Sequence, residues 1–201
     1  MSDITALFAS PIWRSTIEDT GLLEDLALDC RQIATDDQAG RRWSDRNGYP
    51  GYTSYASLDD LPRRSGPIGR LKKQIDTAVG AFGKTLEFDL GRGKLALDAL
   101  WINVLEPGGF HTGHIHPNAV ISGTVYVVVP DGASAIRFED PRLPMMMAHP
   151  PRKPKSALKP HVAFTPTPGT LLLWESFLRH EVPLNRAAGE RVSISFNYAW
   201  V

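Results

Sequence analysis

The sequence has a single cysteine and no surplus of either charge. Among 201 residues, Lys and Arg together number 22, as do Asp and Glu, so the formal net charge is zero. This balance gives no reason to expect a nucleic acid or an anionic membrane as a partner. With only Cys30, no internal disulfide can form, which is typical of a reducing compartment. We therefore expect a cytoplasmic protein that acts on a small molecule or a peptide.

Long apolar runs are missing as well. No stretch approaches the ~18 consecutive apolar residues that a membrane-spanning helix requires. The first residues, MSDITALFASPIW, lack a basic start followed by a long apolar segment, so we expect no export signal. We see no internal repeat. A chain of this length with 42% hydrophobic residues can bury one substantial core, and we predict a single domain over residues 1–201. Whether two copies form a homodimer stays open.

Two amphipathic segments dominate the first half of the chain. Apolar residues recur at helical spacing over about 22–35 and about 66–86, which predicts two helices, with Cys30 as a small buried side chain of the first. The segment between them, GRRWSDRNGYPGYTSYASLDDLP, is rich in glycine and aromatic residues and predicts irregular structure. Its Trp43 and Tyr52 are candidates to line a substrate pocket. The ordinary alternative is that these aromatic residues cap the core.

From about residue 95 the pattern changes to short segments rich in Val, Ile, Thr and aromatic residues. They predict strands of an all-β sandwich or barrel, with the helices packed outside. The segments cover residues 96–105, 119–129, 134–140, 161–166, 169–176 and 191–200. Eight of the sixteen prolines lie between residues 141 and 168, which predicts a long loop. Met146, in a run of three methionines there, is a candidate for an apolar wall over a substrate, and core packing is an equal alternative.

Three of the six histidines lie in the stretch GGFHTGHIHP, residues 108–117. In an extended strand His114 and His116 point to one face and His111 to the other, so the first two make a chelating pair. The two preceding glycines can bend the strand toward a cavity. His180, which follows an apolar strand, is the candidate for a distant third ligand. We expect His111 at the surface or behind the site, and we do not expect His149 or His161 to be ligands.

The strand predicted over 191–200 alternates between two kinds of residue. Val192, Ile194, Phe196 and Tyr198 form an apolar face, whereas Arg191, Ser193, Ser195 and Asn197 form a polar one. A polar strand face ordinarily meets water. Alternatively, the guanidinium of Arg191 would hold one carboxylate of a dicarboxylate that chelates the metal at its other end.

Taken in order, GG-x4-HxH, SGTVYVVVP with RFEDPR, PGTLLLW, RHEVP and RVSISFN resemble the non-haem iron, 2-oxoglutarate-dependent oxygenases. The resemblance covers roughly residues 100–198 and is to the prolyl-hydroxylase-like branch and a group of uncharacterised bacterial members. It implies a mainly β fold with flanking helices: a double-stranded β-helix (jelly-roll, cupin-like) core over 93–201, packed by a helical support region over 1–92. It also implies Fe(II), 2-oxoglutarate as cosubstrate and O2.

Carried over residue by residue, the resemblance makes His114 the first metal ligand and His180 the distal one. It makes Arg191 the partner of the C5 carboxylate of 2-oxoglutarate. Asn103, Tyr126 and Ser193, on the strands expected to border the cavity, are further candidates to bind the cosubstrate. For Asn103 and Tyr126, ordinary packing or exposure to solvent is an equal alternative. No catalytic residue beyond the metal centre is implied.

This sequence departs from the family pattern at His116, where Asp or Glu usually completes the metal site. Three explanations compete. Three histidines hold the iron, a carboxylate such as Glu139 or Asp140 enters from a neighbouring strand, or the site is degenerate and binds another metal. We favour the first, because alternation aims His116 at the same cavity as His114.

Two other functions fit parts of the same pattern. A cupin-type iron dioxygenase uses three histidines without 2-oxoglutarate, but the spacing to His180 is too long for that pattern and Arg191 would have no purpose. A non-catalytic β-barrel that binds a structural or regulatory ion would need the histidines alone. Our prediction is the 2-oxoglutarate-dependent oxygenase, with the substrate unidentified.

Overall fold

The computed structural model describes residues 3–5, 7–142, 148, 150–156 and 158–201, which form four helices and ten strands. The helices are α1 (Thr20–Asp36), α2 (Gln38–Arg46), α3 (Leu61–Arg64) and α4 (Gly66–Thr85). The strands are β1 (Ile12–Thr16), β2 (Tyr52–Thr53), β3 (Leu95–Leu105), β4 (His111–His114), β5 (Ile121–Val128), β6 (Ile136–Glu139), β7 (His161–Phe164), β8 (Thr170–Glu175), β9 (His180–Val182) and β10 (Arg191–Trp200). The six strands predicted from the sequence are all present.

The strands form two antiparallel sheets. The major sheet has the order β1-β8-β5-β10-β3-β2 and the minor sheet the order β4-β9-β6-β7. From β3 to β10 the chain crosses repeatedly between the two sheets, so the strands interleave as in a jelly roll. The predicted fold class, mainly β with flanking helices around a double-stranded β-helix, is confirmed.

The major sheet packs against different partners on its two faces. On β8, Leu171 and Leu173 join the large apolar cluster that α1 and α4 share, whereas Leu172 and Trp174 join a smaller cluster with side chains of the minor sheet. This separation follows from the two-residue alternation of a strand. The helices therefore cover the outer face of the major sheet, and its inner face lines the space between the sheets.

The same alternation directs the polar face of β10 into that inner space. The apolar face of the strand belongs to the cluster under the helices. Arg191, Ser193 and Asn197 are only 3%, 5% and 7% exposed. The ordinary expectation that the polar face meets water is therefore wrong, because helices cover one side of the sheet and a second sheet covers the other.

The two helices predicted from the sequence are confirmed to within two residues. Asp19 caps α1 by accepting a hydrogen bond from the backbone N–H of Leu22, and Ser65 caps α4 in the same way for Ile68. Cys30 is fully buried in α1, and burial raises the pKa of its thiol to about 12. It is the inert structural side chain that the sequence predicted.

The irregular structure predicted after residue 40 is wrong for the part that α2 occupies. Asp37, between α1 and α2, accepts hydrogen bonds from the N–H of Gly40 and from the hydroxyls of Tyr52 and Ser57. Gly40 lets α2 approach β2, since a Cβ there would lie 2.9 Å from the carbonyl oxygen of Thr53. Tertiary contacts thus form a helix that glycine content argued against.

The proline-rich segment follows β6. Its described residues up to His161 contain no helix or strand, in agreement with the predicted loop. Met146 and His149 lie outside the described residues. Of the helices described, none combines the length and the apolar character needed to cross a membrane.

Candidate metal centre

Three histidines from two paired strands of the minor sheet lie together. His114 ends β4 and pairs with His180, which begins β9, while His116 follows two residues after β4. The turn into β4 contains Gly108, whose φ is +81°, and Gly109, where a Cβ would lie 2.7 Å from the carbonyl oxygen of Pro50. Glycine is required at both positions, for backbone conformation at the first and for close approach at the second.

The ligand nitrogens of His114, His116 and His180 all lie within 4.8 Å of one another. The Nε2 atoms of His116 and His180 are 3.4 Å apart. Two nitrogens that bind one ion at about 2.1 Å in adjacent positions are about 3 Å apart, so small side-chain movements would close these rings around a metal. Within the described part of the chain, no other group of His, Cys, Asp or Glu side chains meets in this way.

Two of the three rings are held in the neutral form. Burial, followed by the nearby His114, lowers the pKa of His180 to about 3 and that of His116 to about 4. Neutral imidazole is the form that binds a metal. Because carbonyl oxygens only accept, Nδ1 of His114 donates to Thr112 at 2.7 Å and Nδ1 of His180 donates to Leu178 at 3.0 Å. Both bonds leave Nε2 free for an ion.

The orientation of the Asn197 amide is coupled to the position of the proton on His116. Its Nδ2 lies 3.4 Å from Nδ1 of His116, while its Oδ1 accepts a hydrogen bond from the Ser122 hydroxyl at 2.8 Å. A donor facing Nδ1 keeps the ring proton on Nε2, from where it can be donated to His180. A 180° rotation of the amide would put Oδ1 against Nδ1, and Ser122 can donate or accept in either arrangement. Nε2 of His116 would then be free for a metal.

The structure does not bring the two alternative carboxylates to the histidines. Glu139 is bound by Arg179 at 3.2 Å and lies 3.5 Å from His161. Asp140 is bound by Arg142 at 2.8 Å. Neither carboxylate belongs to the group of ligand nitrogens described above. His161 is also apart from that group, as expected from the sequence.

An inner cavity of about 60 Å³ adjoins the three histidines. Its wall includes the four residues that the sequence nominated for a cosubstrate: Asn103 of β3, Tyr126 of β5, and Arg191 and Ser193 of β10. The structure therefore brings the nominated ligands of the metal and of the cosubstrate to one cavity between the two sheets.

Arg191 is a buried cation that forms no ion pair with any described residue. Its Cζ lies 4.8 Å from the centroid of the Tyr126 ring. Nε and Nη1 of Arg191 and the hydroxyl of Tyr126 are buried with no hydrogen-bond partner among the described residues. An arginine cannot lose its charge, and a buried charge without a partner is costly. Three unpaired donors on two residues that line one cavity fit a carboxylate.

An outer cavity of about 270 Å³ shares five lining residues with the inner one, including His114 and His116. Trp43 of α2 lines it, together with Tyr49 and Tyr55. Tyr52, the other aromatic residue nominated for a substrate, lies in the core instead. It is 2% exposed, and its hydroxyl donates to Asp37 at 2.9 Å.

His111 lines both cavities, although alternation predicted that it faces away from His114. The pairing of β4 with β9 changes register between these two residues, so strict alternation does not hold there. The Tyr49 hydroxyl donates to Oδ1 of Asn103 at 3.2 Å and lies 3.0 Å from Nε2 of His111. Burial, followed by the charge of Arg191, lowers the pKa of His111 to about 3, so this ring is neutral as well.

Two residues of the site were missed in the sequence. Tyr49 carried no signal beyond the aromatic content of its segment. Trp174, whose ring centroid lies 4.7 Å from that of His180, shares a strand face with Leu172 and could have been nominated by alternation.

Comparison with known proteins agrees with this geometry. Residues 99–197 match the family model described as "Putative 2OG-Fe(II) oxygenase". No curated protein sequence matches the chain significantly. The chain spans half of an oxidoreductase of the 2OG-Fe(II) oxygenase family from Burkholderia pseudomallei, with 23% identity over 59% of this chain, and at a TM-score of 0.42 that likeness carries no argument.

Two solved structures match nearly the whole chain. A prolyl-4-hydroxylase from Pseudomonas putida is 15% identical with a TM-score of 0.59, and the match covers 94% of this chain and 91% of that one. HygX from Streptomyces hygroscopicus, solved with nickel and 2-oxoglutarate, is 14% identical with a TM-score of 0.61, and the match covers 94% and 82%. At these identities the likeness shows the fold, and the family match supports the resemblance found in the sequence.

Proposed function

We propose that this chain, whose residues 99–197 match the family model of a putative 2OG-Fe(II) oxygenase, oxidises a small molecule or a peptide with Fe(II), 2-oxoglutarate and O2. One observation carries the proposal. Arg191 is buried, its Nε and Nη1 have no hydrogen-bond partner in the described part of the chain, and it lies on a cavity that the three clustered histidines also line. A dianion that reaches from the histidines to this guanidinium would satisfy both ends of the site.

In this proposal His114, His116 and His180 hold Fe(II) through Nε2. Three neutral imidazoles leave the ion its full double charge, which a dianionic cosubstrate would neutralise. When bound, iron supplies the redox chemistry that couples decarboxylation of 2-oxoglutarate to succinate with oxidation of a substrate by O2. The chain supplies position, orientation and a dry environment.

Arg191 binds the far carboxylate of 2-oxoglutarate in this proposal, with hydrogen bonds from Tyr126 and Ser193. Asn103, already bonded to Tyr49 and Ser195, supports the wall beside the cosubstrate. Ile136, Val182 and Trp174 add apolar side chains to the lining of the inner cavity. Charge-assisted hydrogen bonds are strong in such a low-dielectric setting.

The proposal is tested by following 2-oxoglutarate turnover. Purified protein with Fe(II), O2 and 2-oxoglutarate should form succinate and CO2, and omission of Fe(II) or O2 should stop it. His161→Ala, at a histidine outside the cluster, is the matched control for His180→Ala. Substrate oxidation without 2-oxoglutarate would instead support a three-histidine dioxygenase. Tight metal binding without turnover would support a non-catalytic metal site.

A further inference from the structure

We infer that the outer cavity binds an uncharged aromatic ring, which places the oxidised substrate among small aromatic molecules or aromatic side chains of peptides. The inference rests on the proposed function, since the cavity is a substrate site only if the adjoining His114 and His116 hold iron. The lining, its charge, its hydrogen bonds and its size all support this class of ligand.

Aromatic rings form much of the cavity wall. Trp43, Tyr49, Tyr55 and Trp101 all line it. Tyr55 is 57% exposed and meets Trp101 edge to face, with ring centroids 5.1 Å apart and planes at 75°. Trp101 continues inward to His116, whose ring centroid is 5.7 Å away. The rings thus lead from solvent to the metal ligands, and aromatic pairs favour such tilted or edge-to-face contacts.

The wall has no acidic or basic side chain besides histidine. Among the described residues, none of those that line the outer cavity is Asp, Glu, Lys or Arg. Arg191 lines only the inner cavity, where the proposed function assigns it to 2-oxoglutarate. A carboxylate or an ammonium group in the outer cavity would lack a counterion, and burying such a group is costly.

The side-chain amides of Asn103 and Asn197 and the hydroxyl of Thr53 already have partners in the protein. Oδ1 of Asn103 accepts from Tyr49 and its Nδ2 donates to Ser195. Oδ1 of Asn197 accepts from Ser122, and Oγ1 of Thr53 accepts from the N–H of Tyr55. The surface left for a ligand is therefore mainly the faces and edges of rings. A ring with at most one polar substituent complements it better than a sugar or an amino acid does.

The size of the cavity fits one ring. Pockets for drug-sized ligands measure about 300–1,000 Å³. The outer cavity, at about 270 Å³, lies just below that range and opens to solvent beside Tyr55. One ring with a short substituent fits inside, and a longer chain attached to the ring would extend into solvent.

Calorimetric titration tests the ring directly. The Fe(II)- and 2-oxoglutarate-loaded protein, kept free of O2, is titrated with 4-methylphenol, 4-methylbenzoate, 4-methylbenzylammonium and 4-methylcyclohexanol. We expect 4-methylphenol to bind about tenfold more tightly than each of the others, because charge burial penalises two and ring contacts are lost in the third. Since aromatic faces also attract cations, equal or tighter binding of 4-methylbenzylammonium would overturn the inference. Equal binding of 4-methylcyclohexanol would do the same.

Two variants locate the binding. Trp43→Ala and Tyr55→Ala should each weaken 4-methylphenol binding by about threefold to tenfold, as expected for the loss of one aromatic contact. Trp200→Ala is the matched control, since this tryptophan is 61% exposed and lines neither cavity. Because Tyr55 is largely exposed, Tyr55→Ala should fold normally. It therefore tests the binding site even if Trp43→Ala fails to fold. Unchanged affinity in Tyr55→Ala would place the ring elsewhere.

The source of the ring is distinguished by comparing N-acetyltyrosinamide with a heptapeptide that has a central tyrosine. Tighter binding of the heptapeptide indicates a side chain, and equal or weaker binding indicates a small molecule. Either result keeps the ring assignment. If 4-methylphenol binds as expected but no succinate forms, the proposed function fails alone. If succinate forms but 4-methylphenol binds no better than 4-methylcyclohexanol, the inference fails alone.

Discussion

His116 and His180 are 64 residues apart in the sequence, yet their Nε2 atoms lie 3.4 Å apart and their ring planes differ by 18°. Each ring is neutral, so at most one hydrogen bond joins them. A divalent ion between the rings would replace this long contact with two stronger bonds. The pairing of β4 with β9 sets the distance, so loss of one ring should affect metal binding far more than it affects the fold.

His180→Ala should abolish stable Fe(II) binding. Two of the proposed ligands remain, and the buried ring that is anchored to Leu178 is lost. Metal content after dialysis, measured by atomic absorption, checks the prediction. His161→Ala should keep its metal. Equal metal content in His180→Ala and the unaltered protein would show that the ligand assignment is wrong.

Arg191→Ala should weaken 2-oxoglutarate binding and leave Fe(II) binding in place. Charged hydrogen bonds contribute about 1.5–3 kcal/mol each, so the dissociation constant should rise by about tenfold or more. Anaerobic calorimetry measures it, with Arg14→Ala at an exposed arginine as control. If Arg191→Ala binds 2-oxoglutarate as tightly as the unaltered protein, Arg191 is not the partner of its carboxylate.

Arg191→Met should stabilise the ligand-free protein. Arg191 is 3% exposed and two of its guanidinium nitrogens have no partner among the residues that the structure describes, whereas methionine has similar length without a charge to desolvate. We expect the free energy of unfolding to rise by about 1–3 kcal/mol in urea titrations without 2-oxoglutarate. Saturating 2-oxoglutarate should remove this advantage, since it binds the arginine form better. A less stable variant would mean that Arg191 supports the fold itself.

His116→Asp should keep Fe(II) and 2-oxoglutarate turnover, because a carboxylate is the usual third ligand of such sites. The negative charge of the aspartate should weaken 2-oxoglutarate binding. With one carboxylate ligand the Fe(II) site has a net charge of +1, so it attracts a dianion less strongly than a site with three neutral histidines. Metal content and the rate of succinate formation measure the two effects. His116→Ala is the reference for loss of the ligand. If the aspartate variant is as poor in metal as the alanine variant, the site requires a third imidazole.

Asp37→Ala should destabilise the junction of α1 and α2 in a pH-dependent way. Burial raises the pKa of Asp37, but hydrogen bonds from Ser57, Gly40 and Tyr52 outweigh it and lower the pKa below its usual value. The carboxylate therefore contributes stability above its unfolded pKa of about 3.9, and this is lost as the pH falls through the lower folded value. Urea titrations should show a loss of about 1–2 kcal/mol at pH 7.

The difference between Asp37→Ala and the unaltered protein should shrink as the pH is lowered below 4, since protonation weakens the same bonds. Asp36→Ala, at the exposed neighbour, is the control and should have little effect. A difference that stays constant from pH 7 to pH 3 would show that the charge of Asp37 does not matter.

The local sequence pattern predicted those residues of the site that lie on regular strands. His114 and Arg191 were nominated by strand alternation together with the family resemblance. His180 was nominated by its place after an apolar strand and by the resemblance, and Tyr126 because its strand was expected to border the cavity. All four line the inner cavity. Strand alternation gave the wrong orientation for His111. The register of β4 against β9 changes between His111 and His114, and nothing in the local sequence indicates this change.

Long-range contacts explain the other differences. Helix α2 depends on Asp37 being bonded to Tyr52 and Ser57, which lie 15 and 20 residues further along the chain. Tyr52 and Tyr49 have similar local surroundings in the sequence, yet one is in the core and the other on the cavity. Which tyrosine reaches the histidines is decided by how β2 attaches to β3, at the edge of the major sheet.

The central position of β10 has a consequence during synthesis. This strand fills the gap between β3 and β5 and anchors to α4 through the hydroxyl of Tyr198, which donates to Asp76. Until the ribosome has translated past Arg191, the emerging polypeptide has two open strand edges facing each other and no guanidinium in the cavity. Such edges are prone to pair with other chains. Between the synthesis of β5 and that of β10 these two edges have no partner strand, and the strand that then closes the sheet also carries Arg191, the proposed anion ligand, into the cavity.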